Sequence, residues 1–196
     1  MNDLSLEEKK ILVLDNEEAL ARKMALQVLD KPSPPIWMIF IPVFFVFFAQ
    51  KMNQYKKGLQ DFAENYLISR RWALDAARDA VAGGTELAID EILTRVKDLP
   101  EAARPMYRQW LALQAEHYRQ LLTAPGNSYP ALVRAGYRNK ANYLLLCDRL
   151  GKAEDALNRA LLPDMEGQHQ DVRQIVEAMA QASMQLRRQD IEGAFS

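Results

Sequence analysis

The side chains able to do covalent or metal chemistry are few: two histidines and one cysteine in 196 residues. His117 falls on a helical apolar stripe with Met106, Trp110, Leu113 and Leu121, a position where a histidine is normally a satisfied core or boundary residue. Glu166-Gly-Gln-His169 has the Glu-x-x-His spacing of di-iron bundles. Such a centre takes two copies of the motif plus two further glutamates from facing helices, so the single copy predicts no metal. Cys147 sits among leucines with no histidine near it in sequence, which predicts an inert buried thiol and excludes a disulfide framework. There is no glycine-rich phosphate loop, no Cys-x-x-Cys and no nucleophile motif. Asp90-Glu91 and Glu154-Asp155 are adjacent carboxylates that point to different faces of a helix, and we read them as solvated surface. No catalytic residue, no cofactor and no small-molecule substrate is expected, so the chain reads as a non-enzyme.

One charged constellation stands out. Between Ala102 and Cys147 the only acid is Glu116, whereas Arg104, Arg108, Arg119, Arg134, Arg138 and Lys140 are basic. Arg104 with Arg108 and Arg134 with Arg138 are four residues apart, so each pair shares a helix face, and Tyr107, Tyr137 and Tyr143 are interleaved with them. If their helices are antiparallel neighbours, Arg104, Arg108, Arg134, Arg138 and Lys140 form one patch for an anionic lipid or an acidic protein partner. No nucleic-acid motif accompanies the charge, and the net charge of −1 argues against a bulk electrostatic partner.

The element that organises the chain is the uncharged stretch at residues 32–50, fenced by Lys31 and Lys51 and holding five of the seven phenylalanines. A core-covering helix shows one apolar stripe; this segment is apolar all round. Its strongest part, residues 36–49, spans about 21 Å at ~1.5 Å per residue, short against a hydrocarbon core of about 30 Å. Transfer of its Ile, Val and Phe residues favours a bilayer by about 3–6 kcal/mol. The membrane-inserting residues are expected to be Ile36, Trp37, Ile39, Phe40, Ile41, Val43, Phe44, Phe45, Val46, Phe47 and Phe48. Pro42 removes a backbone donor and predicts a kink, which allows either a short crossing or a re-entrant turn. Lys31, Lys51, Lys56 and Lys57 are placed to meet anionic head groups. Position and flanks exclude a secretory signal. The excess of Lys and Arg after the segment is one residue, which favours a cytoplasmic C-terminal domain.

The rest of the chain reads as helix. In residues 1–31, Ser5 and Glu8 form a capping-box pattern ahead of a stripe through Leu6, Val13, Leu20 and Met24. Lys10–Glu18 resembles the first strand and acidic turn of a response-regulator receiver domain, but no second βα unit follows and the helix is preferred. A juxtamembrane helix over residues 51–84 is expected to stop at Gly83-Gly84. Thr85 is read as the cap of the next helix. Further helices are expected from Glu101 to Thr123, from Ser128 to a stop at Gly151, over Ala153 to Leu162, and from Gln168 to Arg188. Residues 139–163 are similar to one tetratricopeptide unit in Leu150-Gly151, Ala156, Ala160 and Pro163. No second copy follows, and we read an ordinary antiparallel helix pair.

These readings give an all-α chain with four parts: an amphipathic helix (1–31), a hydrophobic membrane segment (32–50), a juxtamembrane helix (51–84) and a helical bundle or hairpin domain (85–196). The expected role is a membrane-anchored adaptor or assembly subunit that meets membrane lipid and a protein partner, a second copy of the chain included. The alternative is a soluble subunit whose segment 36–49 is buried in a partner or oligomer interface.

Overall fold

A computed structural model describes residues 4–29, 43–97, 99–161 and 169–196, with backbone alone for 43–51 and 169–175. These residues form helices α1 (Leu6–Val28), α2 (Val43–Gly83), α3 (Ile89–Leu93), α4 (Arg104–Thr123), α5 (Tyr129–Tyr137), α6 (Lys140–Leu161) and α7 (His169–Phe195), with a 3-10 turn at Glu101–Ala103 leading into α4. No strand occurs among them, and the fold is an all-α bundle.

The expected capping box is present. Ser5 Oγ accepts from Glu8 N–H at 3.3 Å and Glu8 Oε2 accepts from Ser5 N–H at 2.8 Å. Helix α2 has 41 residues, about 61 Å at ~1.5 Å per residue, and runs unbroken from inside the apolar stretch into the core. The boundary placed between residues 50 and 51 therefore falls within one helix. Its stop is where the glycines predicted it. Gly84 takes φ +61° and Thr85 N–H donates to Ala80 C=O at 3.0 Å, the 6→1 bond of a Schellman closure. Thr85 is thereby spent on ending α2. Helix α3 starts at Ile89 behind Ala88, with no side-chain cap.

Two further expectations change. The helix expected from Ser128 breaks at Arg138, which adopts φ 66°, and Asn139 Oδ1 accepts from Asn142 N–H at 2.9 Å to restart the chain as α6. Gly151 does not close a helix. It lies inside α6, with Arg187 Nη1 of α7 3.4 Å from where a Cβ would stand, so the guanidinium crosses α6 at this glycine. Where a helix pair was expected over 139–163, Lys140–Leu161 is one helix, and residues 162 and 163 lie outside the described residues.

The fold also departs from expectation at the membrane segment. Residues 30–42, including Pro42 and its expected kink, lie outside the described residues, and Val43–Gln50 are the opening turns of α2. No helix among the described residues is long and apolar enough to cross a membrane.

Helix α1 lies antiparallel to α2. Glu7, Lys10 and Glu17 pair in turn with Arg78, Asp75 and Arg70, and the Leu29 side chain at the end of α1 lies 3.9 Å from where a Cβ on Gly58 would stand. Helices α6 and α7 are antiparallel through Tyr143 with Asp190 and Glu154 with Ser183. Helix α4 threads the middle: Leu111, Ala115, Tyr118 and Leu121 are fully buried against Ala73, Leu74 and Ala77 of α2 and Leu132 and Val133 of α5. The small residues Ala73, Ala77 and Ala115 let helix backbones approach closely. A second cluster, Met24 of α1 with Ala182 and Leu186 of α7, packs beside Phe62 and Tyr66 of α2.

Candidate functional site

The polar chemistry of the molecule is concentrated inside the bundle. Glu154 on α6 is the hub: its Oε1 accepts from Arg187 Nη2 at 2.6 Å, Arg70 Nη2 at 3.3 Å and Trp110 Nε1 at 3.3 Å, and its Oε2 accepts from Ser183 Oγ at 3.2 Å. Arg70 also stands 3.7 Å above the Tyr66 ring and 5.2 Å from the Trp110 ring, a stacked position that suits a weakly hydrated guanidinium. Its Nε lies 3.2 Å from Glu17 Oε2 of α1. Four helices, α2, α4, α6 and α7, thus converge on one carboxylate, and α1 joins through Arg70.

Burial and charge act against each other here. Burial favours a neutral Glu154, but the charges of Arg187 and Arg70 and the hydrogen bonds from Arg187 and Trp110 hold its carboxyl below the usual value. Burial also disfavours the charge on Arg70, which Tyr66 and the two glutamates more than restore. Glu17 falls on the other side: burial outweighs the attraction of Arg70 and raises its carboxyl. Beside this network lies a cavity of about 50 Å³, lined among others by Glu17, Gln114, His117, Cys147 and Asp190.

Cys147 and His117 both line this cavity, and both are uncharged at neutral pH. Burial pushes the Cys147 thiol up to about 11, so the thiolate that a nucleophile requires is scarce. Burial lowers His117 to about 3. Its Nδ1 is 2.6 Å from the Tyr137 hydroxyl, and it packs among Tyr118, Tyr137 and Tyr143, as expected of a satisfied core histidine. Glu166 is outside the described residues, and no group of three or more His, Cys, Asp or Glu able to hold a metal occurs among the described ones.

The basic residues do not assemble as the sequence suggested. Arg104 pairs with Glu101 at 3.0 Å and Arg108 chelates Asp90 at 2.8 and 3.1 Å. Arg134 Nη1 donates to Ala194 C=O at 2.7 Å, Arg138 forms the turn after α5, and Lys140 opens α6. Gln120 Nε2 donates to Gly136 C=O, which sets the end of α5 beside a point on α4 twelve residues past Arg108, about 18 Å along the axis at ~1.5 Å per residue. The two arginine pairs are therefore apart. Tyr107, Tyr137 and Tyr143 are buried rather than interleaved on a surface.

Of the expected membrane-inserting residues, Ile36, Trp37, Ile39, Phe40 and Ile41 lie outside the described residues, while Val43, Phe44, Phe45, Val46, Phe47 and Phe48 form the first turns of α2. Lys31 is outside them; Lys51, Lys56 and Lys57 lie along α2, the last two exposed. Near this end α1 and α2 enclose a groove of about 400 Å³. Ala25, Leu26, Leu59, Ala63 and Leu67 make its floor, and Glu18, Arg22, Lys56 and Glu64 its rim. Leu26 is 60% exposed.

Reasoning from sequence missed the charged core. Glu154 had been paired with Asp155 as solvated surface; Asp155 is exposed and Glu154 is not. A signal was present, because each member interrupts an apolar stripe: Glu17 between Val13 and Ala21, Arg70 between Leu67 and Leu74, Glu154 between Leu150 and Leu157, Arg187 before Ile191. Charges in such positions are either paired or functional. No family model, no curated protein and no solved structure matches this chain.

Proposed function

We propose that the protein is a non-enzymatic helical adaptor or assembly subunit, attached to a membrane through its apolar stretch and holding a protein partner there. The observation that carries this reading is the continuity of α2, which begins inside that stretch and ends deep in the bundle. Whatever seats Val43 and the phenylalanines after it is fixed mechanically to the core. Lys56 and Lys57, exposed on the same helix, suit an anionic surface. The groove between α1 and α2 suits an amphipathic helix of the partner: its apolar floor takes one stripe, and its rim of both signs matches flanking charges of both signs.

Membrane fractionation tests the attachment. After a high-salt wash and alkaline carbonate, the intact chain is expected in the pellet and a chain lacking residues 36–49 in the supernatant. Release of both refutes attachment and favours the second reading, a soluble subunit whose segment 36–49 is buried in a partner or oligomer.

A further inference from the structure

Helix α1 buries one face against α2, α4, α5 and α7 and turns the other outward. On the outer face Ile11, Asp15, Arg22 and Leu26 are exposed, Ile11 at 56% and Leu26 at 60%. At about 100° per residue the four fall within an arc of about 60°, so they make one ridge about 22 Å long at ~1.5 Å per residue. Glu18 and Ala19 flank its midpoint, one on either side. A single exposed leucine or isoleucine needs no explanation. The order along this ridge does.

The spacings are four, seven and four, and the types run apolar, acid, base, apolar. Reversed, that order is its own complement. An antiparallel second copy, related by a two-fold axis between Glu18 and Ala19, sets Ile11 against Leu26 and Asp15 against Arg22, and repeats both pairs across the axis. A parallel copy would set Asp15 on Asp15 and Arg22 on Arg22, which repel. Ala19 at the crossing is small and exposed, so the two helix axes can approach closely there. The charges are available. Asp15 has no ion-pair partner among the described residues. Arg22 spends Nη2 on Glu18 at 3.2 Å, which leaves Nε and Nη1 for a second carboxylate.

We infer that α1 is the interface of a homodimer in which two copies pair antiparallel along Ile11, Asp15, Arg22 and Leu26. The contact is one ridge per copy, small beside the ~1,200–2,000 Å² of a standard interface, so the dimer is reversible and concentration-dependent. Within each chain α2 runs antiparallel to α1, so the dimer directs the opening turns of its two α2 helices to opposite ends. Arg22 and Leu26 also border the groove between α1 and α2. A second copy and a partner helix in that groove therefore compete for them. The inference stands whether or not the chain is membrane-attached.

Sedimentation equilibrium of the full chain, in a density-matched detergent that covers the apolar stretch, tests the pairing. A monomer–dimer equilibrium is expected in the wild type. Asp15→Arg and Arg22→Asp, each of which turns two attractions into repulsions, are expected to weaken it by about tenfold. The double variant Asp15→Arg/Arg22→Asp restores both pairs and is expected to return to the wild-type constant. A wild type that stays monomeric, or a double variant as weak as the single ones, overturns the inference. Mild oxidation tests the register, with the wild type and its Cys147 as the blank. Ile11→Cys/Leu26→Cys is expected to close intermolecular disulfides. Neither single variant is, because equivalent positions of the two copies lie about 22 Å apart along the axis and a disulfide needs Cα atoms about 4.4–6.8 Å apart. Covalent dimers of a single variant, or none of the double, refute the antiparallel arrangement.

Discussion

Replacing His117 by asparagine removes a buried base that changes charge on unfolding in the weakly acidic range. The asparagine amide reaches the region of Nδ1 and preserves a polar partner for the Tyr137 hydroxyl. In the unfolded chain the imidazole takes up a proton near pH 6.5; in the bundle it does so only at about 3. A base lowered on folding leaves its stabilisation whole above the unfolded value and loses it progressively as the pH falls toward the folded one. From pH 6.5 to pH 5 the loss accrues at about 1.4 kcal/mol per pH unit, which comes to about 2 kcal/mol. Glu17, Glu154 and Asp190 titrate in both proteins and cancel in the difference. Urea unfolding of wild type and His117→Asn at pH 7.5 and pH 5 is therefore expected to show a wild-type decrease larger by about 2 kcal/mol, whatever packing the variant loses at both pH values. Equal decreases in the two proteins refute the claim that the imidazole is excluded from protonation by burial.

Glu154→Ala leaves Arg70 and Arg187 facing each other without their common partner, and a loss of about 3–5 kcal/mol is expected in chemical denaturation. The joint replacement of Glu154, Arg70, Arg187 and Glu17, which Arg70 also pairs, by leucine or methionine is expected to recover much of it, and a mild effect of Glu154→Ala alone contradicts its role as hub. Arg134→Ala removes a charged donor from the Ala194 carbonyl at the end of α7 and is expected to cost about 1–3 kcal/mol. Arg108→Ala, which breaks an exposed pair with Asp90, is expected to cost no more than about 1 kcal/mol; the reverse ranking by thermal unfolding contradicts these assignments.

Much of the helical plan is legible in the sequence because its signals are local. Ser5 and Glu8 sit at capping-box spacing, Gly83-Gly84 ends α2, and the stripe through Trp110 and His117 faces inward, each determined within a few residues. The errors concern glycines and charges whose meaning depends on distant neighbours. Gly151 looks like a helix stop until Arg187, thirty-six positions later, is seen to cross it. The break that does occur, at Arg138, carries no glycine or proline, and its stabilisation comes from Asn139 and Asn142 after it. Arg70 and Glu154 are separated by 84 positions, so nothing in either neighbourhood announces the other. What could be read was the anomaly of a charge on an apolar stripe, not its partner.

Helix α2 also has a mechanical meaning. The stretch from Arg70, clamped in the charged interior, back to Val43 is about 40 Å of continuous helix at ~1.5 Å per residue, and its first fifteen residues extend beyond the end of α1. An α-helix of that length behaves as a lever with its fulcrum among the buried glutamates. A tilt of about 5° at the fulcrum, well within the ~15–20° scatter of helix-packing angles, carries the aromatic tip through ~3–4 Å. Small repackings around Glu17 and Glu154 are thereby magnified at the far end, and a force applied to the phenylalanines is delivered, with mechanical advantage, to the charged interior around Arg70 and Glu154.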